Sequence, residues 1–407
     1  MKALLLENIS GLAASAFAAG GLEVETITSA LDEAELKKKM QDVTVLGVRS
    51  KTKVSEAVLD AAPNLLAIGA FCIGTDKVNL AAASERGVAV FNDPHSNSRS
   101  VAELAMGEII LLMRRIFAAS TDLHQGKWKK SATGAHEVRG LTLGIVGYGK
   151  IGSQLSDLAE AVGMRVIFSD VADVLARGNA RRVSFQELLQ TADVVTLHVD
   201  GRAPNRDFFG NDEFALMKNG ACFLNLSRGF VVDHTSLAEA LKSGKLQGAA
   251  VDVFPQEPDN GEPFTSPLQG LPNVILTPHI GGSTEEAQQN IGSFVSSRLI
   301  EYMRSGNTML SVNFPHCQLE FTPDSHRLMH LHRNVPGMLL HINEILAKRG
   351  INIERQVLDT HGQIGYALYD INRGFDAELV DELQAIPHTI RVRVPEAIAV
   401  PEASVAV

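Results

Sequence analysis

Three polar residues whose side chains suit redox chemistry follow apolar runs in distant parts of the chain. They are Arg228 in Asn225-Leu226-Ser227-Arg228-Gly229, Glu257 in Asp252-Val253-Phe254-Pro255-Gln256-Glu257-Pro258, and His279 in Thr277-Pro278-His279-Ile280-Gly281-Gly282. Interconversion of a 2-hydroxy acid and a 2-keto acid moves a hydride and a proton, and the proton needs a general acid or base. His279 can move it, Glu257 can fix the histidine tautomer and favour the imidazolium, and Arg228 can bind a carboxylate in its planar fork.

Each of the three residues also has an ordinary structural interpretation. His279 could be a satisfied core histidine, Glu257 a turn acid before a proline, and Arg228 one half of a surface ion pair. The presence of all three residues in one chain favours interconversion of a 2-hydroxy acid and a 2-keto acid over three separate structural roles. The three residues predict a 2-hydroxy acid dehydrogenase.

A glycine-rich turn, Gly147-Tyr148-Gly149-Lys150-Ile151-Gly152, follows an apolar run and opens a helical pattern. Gly147 permits the tight turn, Gly149 lets the main chain approach a pyrophosphate, and Gly152 allows the helix to pack closely on the strand. Asp170, which ends the next apolar run, can accept hydrogen bonds from ribose hydroxyls and would repel a 2′-phosphate. No arginine follows it immediately, so the motif predicts NAD and not NADP. The alternative is a tight turn that binds no nucleotide.

Composition sets limits on size, location and partners. The 407 residues, of which 45% are hydrophobic and 21% charged, are enough for two or three domains. A net charge of -10 argues against nucleic acid and anionic membranes as partners. Cys72, Cys222 and Cys317 are odd in number and far apart, which predicts inert thiols, no disulfide and no metal site. The apolar start is too short for a signal peptide, so we expect a cytoplasmic protein.

Alternation of apolar and amphipathic segments predicts two α/β units. In the first, strands are expected over 2–7, 43–49, 65–71 and 88–91, with helices over 31–40, 55–62 and 78–86. A long helix over 98–119, capped by Ser98 or Ser100, leads into strands over 141–146, 164–169, 194–199, 221–226, 249–253 and 274–276. Both series indicate doubly wound, Rossmann-like or flavodoxin-like parallel sheets. Two open sheets in one chain imply a cleft between them.

A third unit follows a change in composition near residue 307. Prolines at 315 and 323 indicate an extended linker. Strand and helix patterns then alternate as βαββαβ, the ferredoxin-like order, with a turn at His361-Gly362. The last dozen residues are rich in proline and alanine, and we expect them to be frayed.

Several segments resemble the D-isomer-specific 2-hydroxyacid dehydrogenase family, in its bacterial form with a carboxy-terminal ACT domain. Besides the glycine turn, Ser227-Arg228-Gly229 and Asp252-Val253-Phe254, they are residues 67–75, 98–104 and 290–292. The resemblance implies a substrate-binding domain over 1–95 and 281–307, an NAD-binding domain over 96–280, a linker over 308–325, an ACT domain over 326–395 and a tail over 396–407. It also implies that Arg228, Glu257 and His279 are catalytic.

The resemblance further implies which residues bind the ligands. NAD is expected to contact Lys150, Ile151, Asp170, Leu226, Ser227, Arg228, Asp252, His279, Ile280, Gly281 and Gly282. Substrate binding is assigned to Arg49, Lys51 and the loop that contains Cys72, Ile73 and Gly74, where cations suit a phosphate. Arg49 and Lys51 could instead be solvated surface charges. Lys130, near Trp128, is a weaker phosphate candidate from a neighbouring subunit.

The ACT domain implies a regulated tetramer. Members with this architecture oxidise 3-phospho-D-glycerate to open serine biosynthesis and are inhibited by serine, whose expected ligands here are His332, Asn334 and Asn352. The ACT domain could instead only assemble the oligomer. Two departures from the family pattern stand out: Val199-Asp200-Gly201 replaces a valine-proline pair, and Arg333 and Val335 flank the effector residues.

Two alternatives remain open from sequence. The enzyme could act on another D-2-hydroxy acid, for example by reducing 2-oxoglutarate, because a distal carboxylate can occupy a phosphate site. The chain could also be an NAD-sensing binding protein like the corepressors of the same superfamily, although a cationic substrate site and an ACT domain argue against that.

Overall fold

The computed structural model describes residues 1–258, 261–320, 322 and 326–395. Within them the chain divides into two compact units. Met1–Ser96 with the described residues from Gln288 onward form the first unit, and Asn97–Ala287 form the second. The expected frayed tail over 396–407 and most of segment 321–325 lie outside the described residues. No helix in the described part of the chain has the length and apolar character needed to cross a membrane.

Five short parallel strands form the first sheet: β1 (Lys2–Leu5), β2 (Glu23–Thr26), β3 (Val45–Val48), β4 (Ala67–Ala70) and β5 (Ala89–Asn92). Their order across the sheet is β2-β1-β3-β4-β5. The connecting helices are α1 (Gly11–Ala19), α2 (Glu33–Lys39), α3 (Glu56–Asp60) and α4 (Leu80–Glu85). Side chains alternate between the two faces of a strand. Leu5 of β1 therefore packs in the hydrophobic core on one face of the sheet, and its neighbour Leu4 packs in the core on the other face.

The second unit begins with two helices, α5 (Ser98–Met113) and α6 (Ile116–His124). Its strands are β6 (Thr142–Val146), β7 (Arg165–Ser169), β8 (Arg181–Arg182), β9 (Val194–Leu197), β10 (Ala221–Asn225), β11 (Leu246–Val251) and β12 (Val274–Leu276). Its other helices are α7 (Lys150–Ala161), α8 (Phe185–Thr191), α9 (Asn211–Leu216) and α10 (His234–Lys242). The parallel order β12-β11-β10-β9-β6-β7-β8 has a core on each face. The predicted doubly wound sheets are confirmed.

The carboxy-terminal part of the first unit contains an antiparallel sheet. After α11 (Glu285–Ser305) come β13 (His326–Arg333), α12 (Met338–Lys348), β14 (Ile353–His361), β15 (Ile364–Ile371), α13 (Ala377–Gln384) and β16 (Thr389–Arg393). The sheet order is β14-β15-β13-β16. Both helices pack on one face, while Met329, Leu331 and Tyr366 on the other face join the core around the first sheet. The βαββαβ prediction is confirmed.

The single helix expected over 98–119 is instead two helices. Helix α5 ends at Met113, with Arg114 as its C-cap. Arg115 then adopts a left-handed backbone with φ of 53°, which interrupts the helical hydrogen bonds before α6. Neither Ser98 nor Ser100 caps the first turn, because Asn97 occupies that position and the Ser100 hydroxyl bonds Thr284. The edge strand β2 was missed because its sequence, EVET, lacks an apolar run.

The described part of the predicted linker lies along the first sheet. Ser311 pairs with Phe91 of β5, and the amide of Asn313 donates to Val88 O while its oxygen accepts from Val90 N. Asn313 thereby takes the place of a neighbouring strand at this edge.

Candidate active site

Arg228, Glu257 and His279 all follow strands at one edge of the second sheet. Arg228 lies three residues after β10, Glu257 six residues after β11, and His279 three residues after β12. These three strands are neighbours and run parallel, so their carboxyl ends meet at the same edge. Ligands of open α/β sheets bind at this edge.

A short hydrogen bond joins His279 to Glu257. The distance from His279 Nδ1 to Glu257 Oε2 is 2.8 Å, and Glu257 Oε1 accepts from Phe254 N at 3.1 Å. This bond raises the pKa of His279 against the opposing effect of burial. Burial alone would raise the pKa of Glu257, but the bonds from His279 and Phe254 N lower it. With Nδ1 bonded to the carboxylate, Nε2 is the nitrogen that can exchange a proton with substrate.

The turn that carries His279 is held by Asp252. His279 has a left-handed backbone with φ of 55°, and its N–H donates to Asp252 O at 2.8 Å. The Asp252 carboxylate accepts from Thr277 Oγ1 at 2.6 Å, from Ile280 N at 2.9 Å and from Gly281 N at 2.8 Å. Asp252 is only 2% exposed. A residue expected to contact NAD therefore also fixes the turn that carries His279.

Arg228 is positioned by its immediate neighbours. Its Nη1 donates to Ser227 O at 2.8 Å, and Asn225 Nδ2 donates to Arg228 O at 3.1 Å. Gly229 next to it must be glycine, since a Cβ there would lie 1.9 Å from the carbonyl carbon of Phe254. The charge of Arg228 is near enough to help lower the pKa of Glu257 and to oppose in small part the rise in the pKa of His279.

The glycine turn has the geometry a dinucleotide requires. Gly147 has φ of 91°, and a Cβ on it would lie 2.6 Å from His198 O. A Cβ on Gly152 would lie 2.3 Å from Gly147 O, so helix α7 packs against the turn. In contrast, a Cβ on Gly149 would meet no described atom within 4 Å. That open space, at the N-terminus of α7 where Lys150 and Ile151 begin the helix, fits a pyrophosphate.

Asp170 is bonded to the same turn. Its carboxylate accepts from Tyr148 N at 2.6 Å and from Ala172 N at 2.8 Å. Although no arginine follows Asp170 in sequence, the fold brings Arg182 beside it. Arg182 Nη2 donates to Asp170 O at 2.9 Å, and Nη1 pairs with the exposed Asp173 at 2.8 Å. The guanidinium is thus bonded to main-chain oxygens and to Asp173, and not to the Asp170 carboxylate.

The departure after His198 places a charged pair near Arg228. Asp200 pairs with Arg202 at 2.7 Å, and this bond, with a smaller contribution from Arg228, lowers the pKa of Asp200. A Cβ on Gly201 would lie 3.5 Å from the Arg228 side chain. His198 itself is half-buried, and its desolvation lowers its pKa to about 4.

The candidate substrate residues lie in the first unit. Arg49 and Lys51 follow β3, and Cys72 to Gly74 follow β4, so both loops are at the carboxyl edge of the first sheet. Cys72 Sγ donates to Arg49 O at 3.5 Å and to Gly74 O at 3.1 Å, which joins the two loops. Lys130 is an exposed residue of the second unit, in the segment after α6.

The candidate effector residues differ in exposure. Asn334 and Asn352 are exposed, and Asn334 Nδ2 donates to Gly362 O at 3.3 Å. His332 is only 3% exposed, and its Nδ1 lies 3.1 Å from His330 Nδ1. Burial lowers the pKa of both histidines, to about 4 for His330.

Sequence reasoning missed two buried carboxyl groups. Glu7 accepts three main-chain hydrogen bonds from the loop that carries Arg49 and Lys51. Glu108 in α5 is 1% exposed, and neither of its oxygens has a described hydrogen-bond partner. Burial, and then the charge of Asp252, raise the pKa of Glu108 to about 8. An acid within the apolar run of α5 was the only available signal for Glu108.

Two families and several known proteins are similar to this chain. Residues 106–281 match the D-isomer specific 2-hydroxyacid dehydrogenase NAD binding domain, and residues 328–391 match the AHAS small subunit-like ACT domain. The chain is 48% identical over 397 residues to a D-3-phosphoglycerate dehydrogenase of Haemophilus influenzae, covering 97% of each chain. It is 48% identical over 398 residues to that of Escherichia coli K12, again covering 97% of each chain.

A solved structure is similar as well. D-lactate dehydrogenase from Aquifex aeolicus, complexed with NAD and lactic acid, superposes with a TM-score of 0.65 at 25% identity, covering 77% of this chain and 99% of that one.

Proposed function

This chain belongs to the D-isomer-specific 2-hydroxyacid dehydrogenase family, and from that premise we propose that it oxidises 3-phospho-D-glycerate to 3-phosphooxypyruvate with NAD. This reaction opens L-serine biosynthesis. Relatives that match over 97% of both chains are named for this substrate. The observation that carries the chemistry is the 2.8 Å bond between His279 Nδ1 and Glu257 Oε2. A protein that only senses NAD does not need such a proton-transfer pair.

The chain's own residues supply the proton transfer and the substrate binding. NAD, held by the Gly147 to Gly152 turn, would supply the acceptor for the hydride that leaves C2 of the substrate. His279 Nε2 takes the proton of the C2 hydroxyl, and Glu257 stabilises the imidazolium that results. Arg228 binds the carboxylate through its planar fork. In the reverse direction the same imidazolium returns the proton to the carbonyl oxygen.

NAD binding is assigned to five positions or segments of the second unit. The main chain of Gly147 to Gly152 holds the pyrophosphate at the start of α7, with Lys150 and Ile151 in its first turn. Asp170 accepts hydrogen bonds from the adenosine ribose. Leu226, Ser227 and Arg228, with Asp252 and the turn of Ile280, Gly281 and Gly282, would contact other parts of the cofactor.

Phosphate binding is assigned to the cations of the first unit. Arg49 and Lys51 hold the phosphate, and the loop of Cys72, Ile73 and Gly74 lines the same site. Lys130 of a neighbouring subunit adds a further cation. In support of this, neither Arg49 nor Lys51 forms an ion pair with any residue that the structure describes, so their charges remain available to an anion.

Serine is proposed as the effector, and a homotetramer as the assembly. The support is the ACT domain over 328–391 together with the exposed amides of Asn334 and Asn352. These amides suit the carboxylate and ammonium of an amino acid, although the fold places Asn334 and Asn352 at opposite ends of β15, beside Gly362 and Asn372. We also propose a cytoplasmic location, consistent with three free cysteines.

Initial rates of NADH formation test the proposal. Purified protein is assayed with NAD and 3-phospho-D-glycerate, with and without L-serine. We expect NADH to form and serine to suppress it. Turnover unaffected by serine would discard the effector, and no turnover with 3-phospho-D-glycerate, but turnover with another 2-hydroxy acid, would discard the substrate.

A further inference from the structure

Glu7 lies where the strand order of the first sheet reverses. It follows β1 by two residues, and the Arg49 to Thr52 loop directly follows the neighbouring strand β3. In the order β2-β1-β3-β4-β5, β2 lies on one side of β1, and the next strand in the chain, β3, lies on the other side. Such a switch point leaves a crevice at the carboxyl ends of the two strands, and ligands bind there.

The Glu7 carboxylate holds the loop by its main chain. Glu7 Oε1 accepts from Thr52 N at 2.8 Å and from Arg49 N at 3.2 Å, and Oε2 accepts from Lys51 N at 3.0 Å. Arg49 Nη1 also donates to Glu7 O at 3.3 Å. The carboxylate therefore bonds amides, and within the described part of the chain no carboxylate forms an ion pair with the charged ends of Arg49 and Lys51.

The arrangement is unfavourable as local structure. Glu7 is only 7% exposed, and burying a carboxylate is unfavourable because the group loses its hydration. Glu7 and Asn8 both have left-handed backbone, with φ of 60° and 54°. Unfavourable backbone persists where the surrounding structure enforces it, and such residues cluster at ligand sites.

A second contact ties the held loop to the other candidate substrate loop. Cys72 Sγ donates to Arg49 O and to Gly74 O. The thiol stays protonated as a donor, because burial and then the charge of Glu7 raise its pKa to about 11. Glu7 thus fixes the amide side of the 49–52 loop, and Cys72 fixes its carbonyl side.

We propose that Glu7 is a positioning residue for the phosphate end of the substrate, fixing the loop that presents Arg49 and Lys51. This inference rests on the proposed function, since it deepens the assignment of these two cations. Without the carboxylate, the three amides lose their acceptor, and the loop samples conformations in which the cations no longer meet the anion.

The first test replaces Glu7 by glutamine. Glu7→Gln keeps the shape but offers one acceptor oxygen, so we expect KM for 3-phospho-D-glycerate to rise about tenfold or more, with kcat and KM for NAD within about threefold of wild type. Inhibition by inorganic phosphate should weaken in parallel. Glu7→Asp, which retains the charge, should recover part of the affinity and serves if Glu7→Gln fails to fold. Glu25→Gln is the matched control. Glu25 lies on β2 of the same sheet, and its carboxylate pairs with the side chains of Lys2 and Lys39 and not with the 49–52 loop.

Hydrogen–deuterium exchange separates this inference from the proposed function. Exchange of the Arg49 to Thr52 amides should accelerate in Glu7→Gln and not in Glu25→Gln, whatever the substrate. Unchanged exchange would overturn the positioning role, and faster exchange with an unchanged phosphate KM and inhibition would overturn the link to the anion. If wild type does not use 3-phospho-D-glycerate, the proposed function fails while the exchange result still decides the role of Glu7.

Discussion

Glu257 Oε2 lies 2.8 Å from His279 Nδ1, and the same carboxylate is fixed by Phe254 N, three residues before it. The pair is therefore oriented from both sides, because the turn that carries His279 is bonded to Asp252. A carboxylate held in this way fixes the tautomer of the ring and stabilises its charged form.

Replacing His279 by alanine should remove the proton-transfer group without removing the cofactor site. We expect kcat to fall about 10²- to 10⁴-fold, the usual contribution of a general base. NAD affinity, measured by fluorescence titration, should change little, because the glycine turn and Asp170 are untouched. Wild-type turnover in the variant would refute the assignment.

Replacing Glu257 by glutamine should shift the pH profile to lower pH. The hydrogen bond from Glu257 is the largest contribution that raises the pKa of His279, so its loss lowers that pKa. Oxidation requires the neutral imidazole, and the acid limb of kcat/KM should therefore move to lower pH. Reduction requires the imidazolium, so its alkaline limb should also move to lower pH. Overlapping profiles for wild type and variant would show that the pair is not coupled.

Asp170 should determine the affinity for NAD. Asp170→Ala removes the acceptor for ribose hydroxyls and for Tyr148 N, and we expect KM for NAD to rise about 10- to 100-fold. The control is Asp173→Asn, since Asp173 is fully exposed and pairs only with Arg182 among the described residues. Equal effects of the two substitutions on KM would point to a general loss of charge.

Glu108 should destabilise the fold at alkaline pH. Its pKa is raised to about 8 in the folded protein, compared with about 4.3 when unfolded. Below the unfolded pKa the group is protonated in both states and does not destabilise the fold. As the pH rises toward 8, ionisation increasingly favours the unfolded state, so the free energy of unfolding falls. Glu108→Gln should increase the free energy of unfolding by roughly 2–5 kcal/mol at pH 8 or above, and by little at pH 4.

Urea denaturation at both pH values measures the Glu108 effect. The control is Glu103→Gln on the same helix, an exposed partner of Arg99 whose loss should change stability by less than about 1 kcal/mol. Equal stability of wild type and Glu108→Gln at alkaline pH would mean that Glu108 has a partner that satisfies its charge.

The placement of the three candidate catalytic residues could be predicted because its signal is local. Arg228, Glu257 and His279 each follow a short apolar strand, and the glycine turn lies between a strand and a helix, where its chemistry is recognisable. The βαββαβ order was likewise visible from alternating periodicity.

The remaining features depend on contacts between distant positions. Glu7 could not be found, because its partners are main-chain amides 42 to 45 positions away, which no side-chain pattern encodes. Arg182 follows Asp170 by twelve positions in the sequence, and the short pairing of β7 with β8 brings the two residues together. The break at Arg115 was missed because apolar periodicity continues across it.

The most direct test of the account compares kcat/KM for 3-phospho-D-glycerate and D-2-hydroxyglutarate with NAD and wild-type protein. The account predicts a clear preference for 3-phospho-D-glycerate, a preference that shrinks in Arg49→Ala and Lys51→Ala because the phosphate loses its cations. A higher kcat/KM for D-2-hydroxyglutarate, or a ratio that both substitutions leave unchanged, would contradict it.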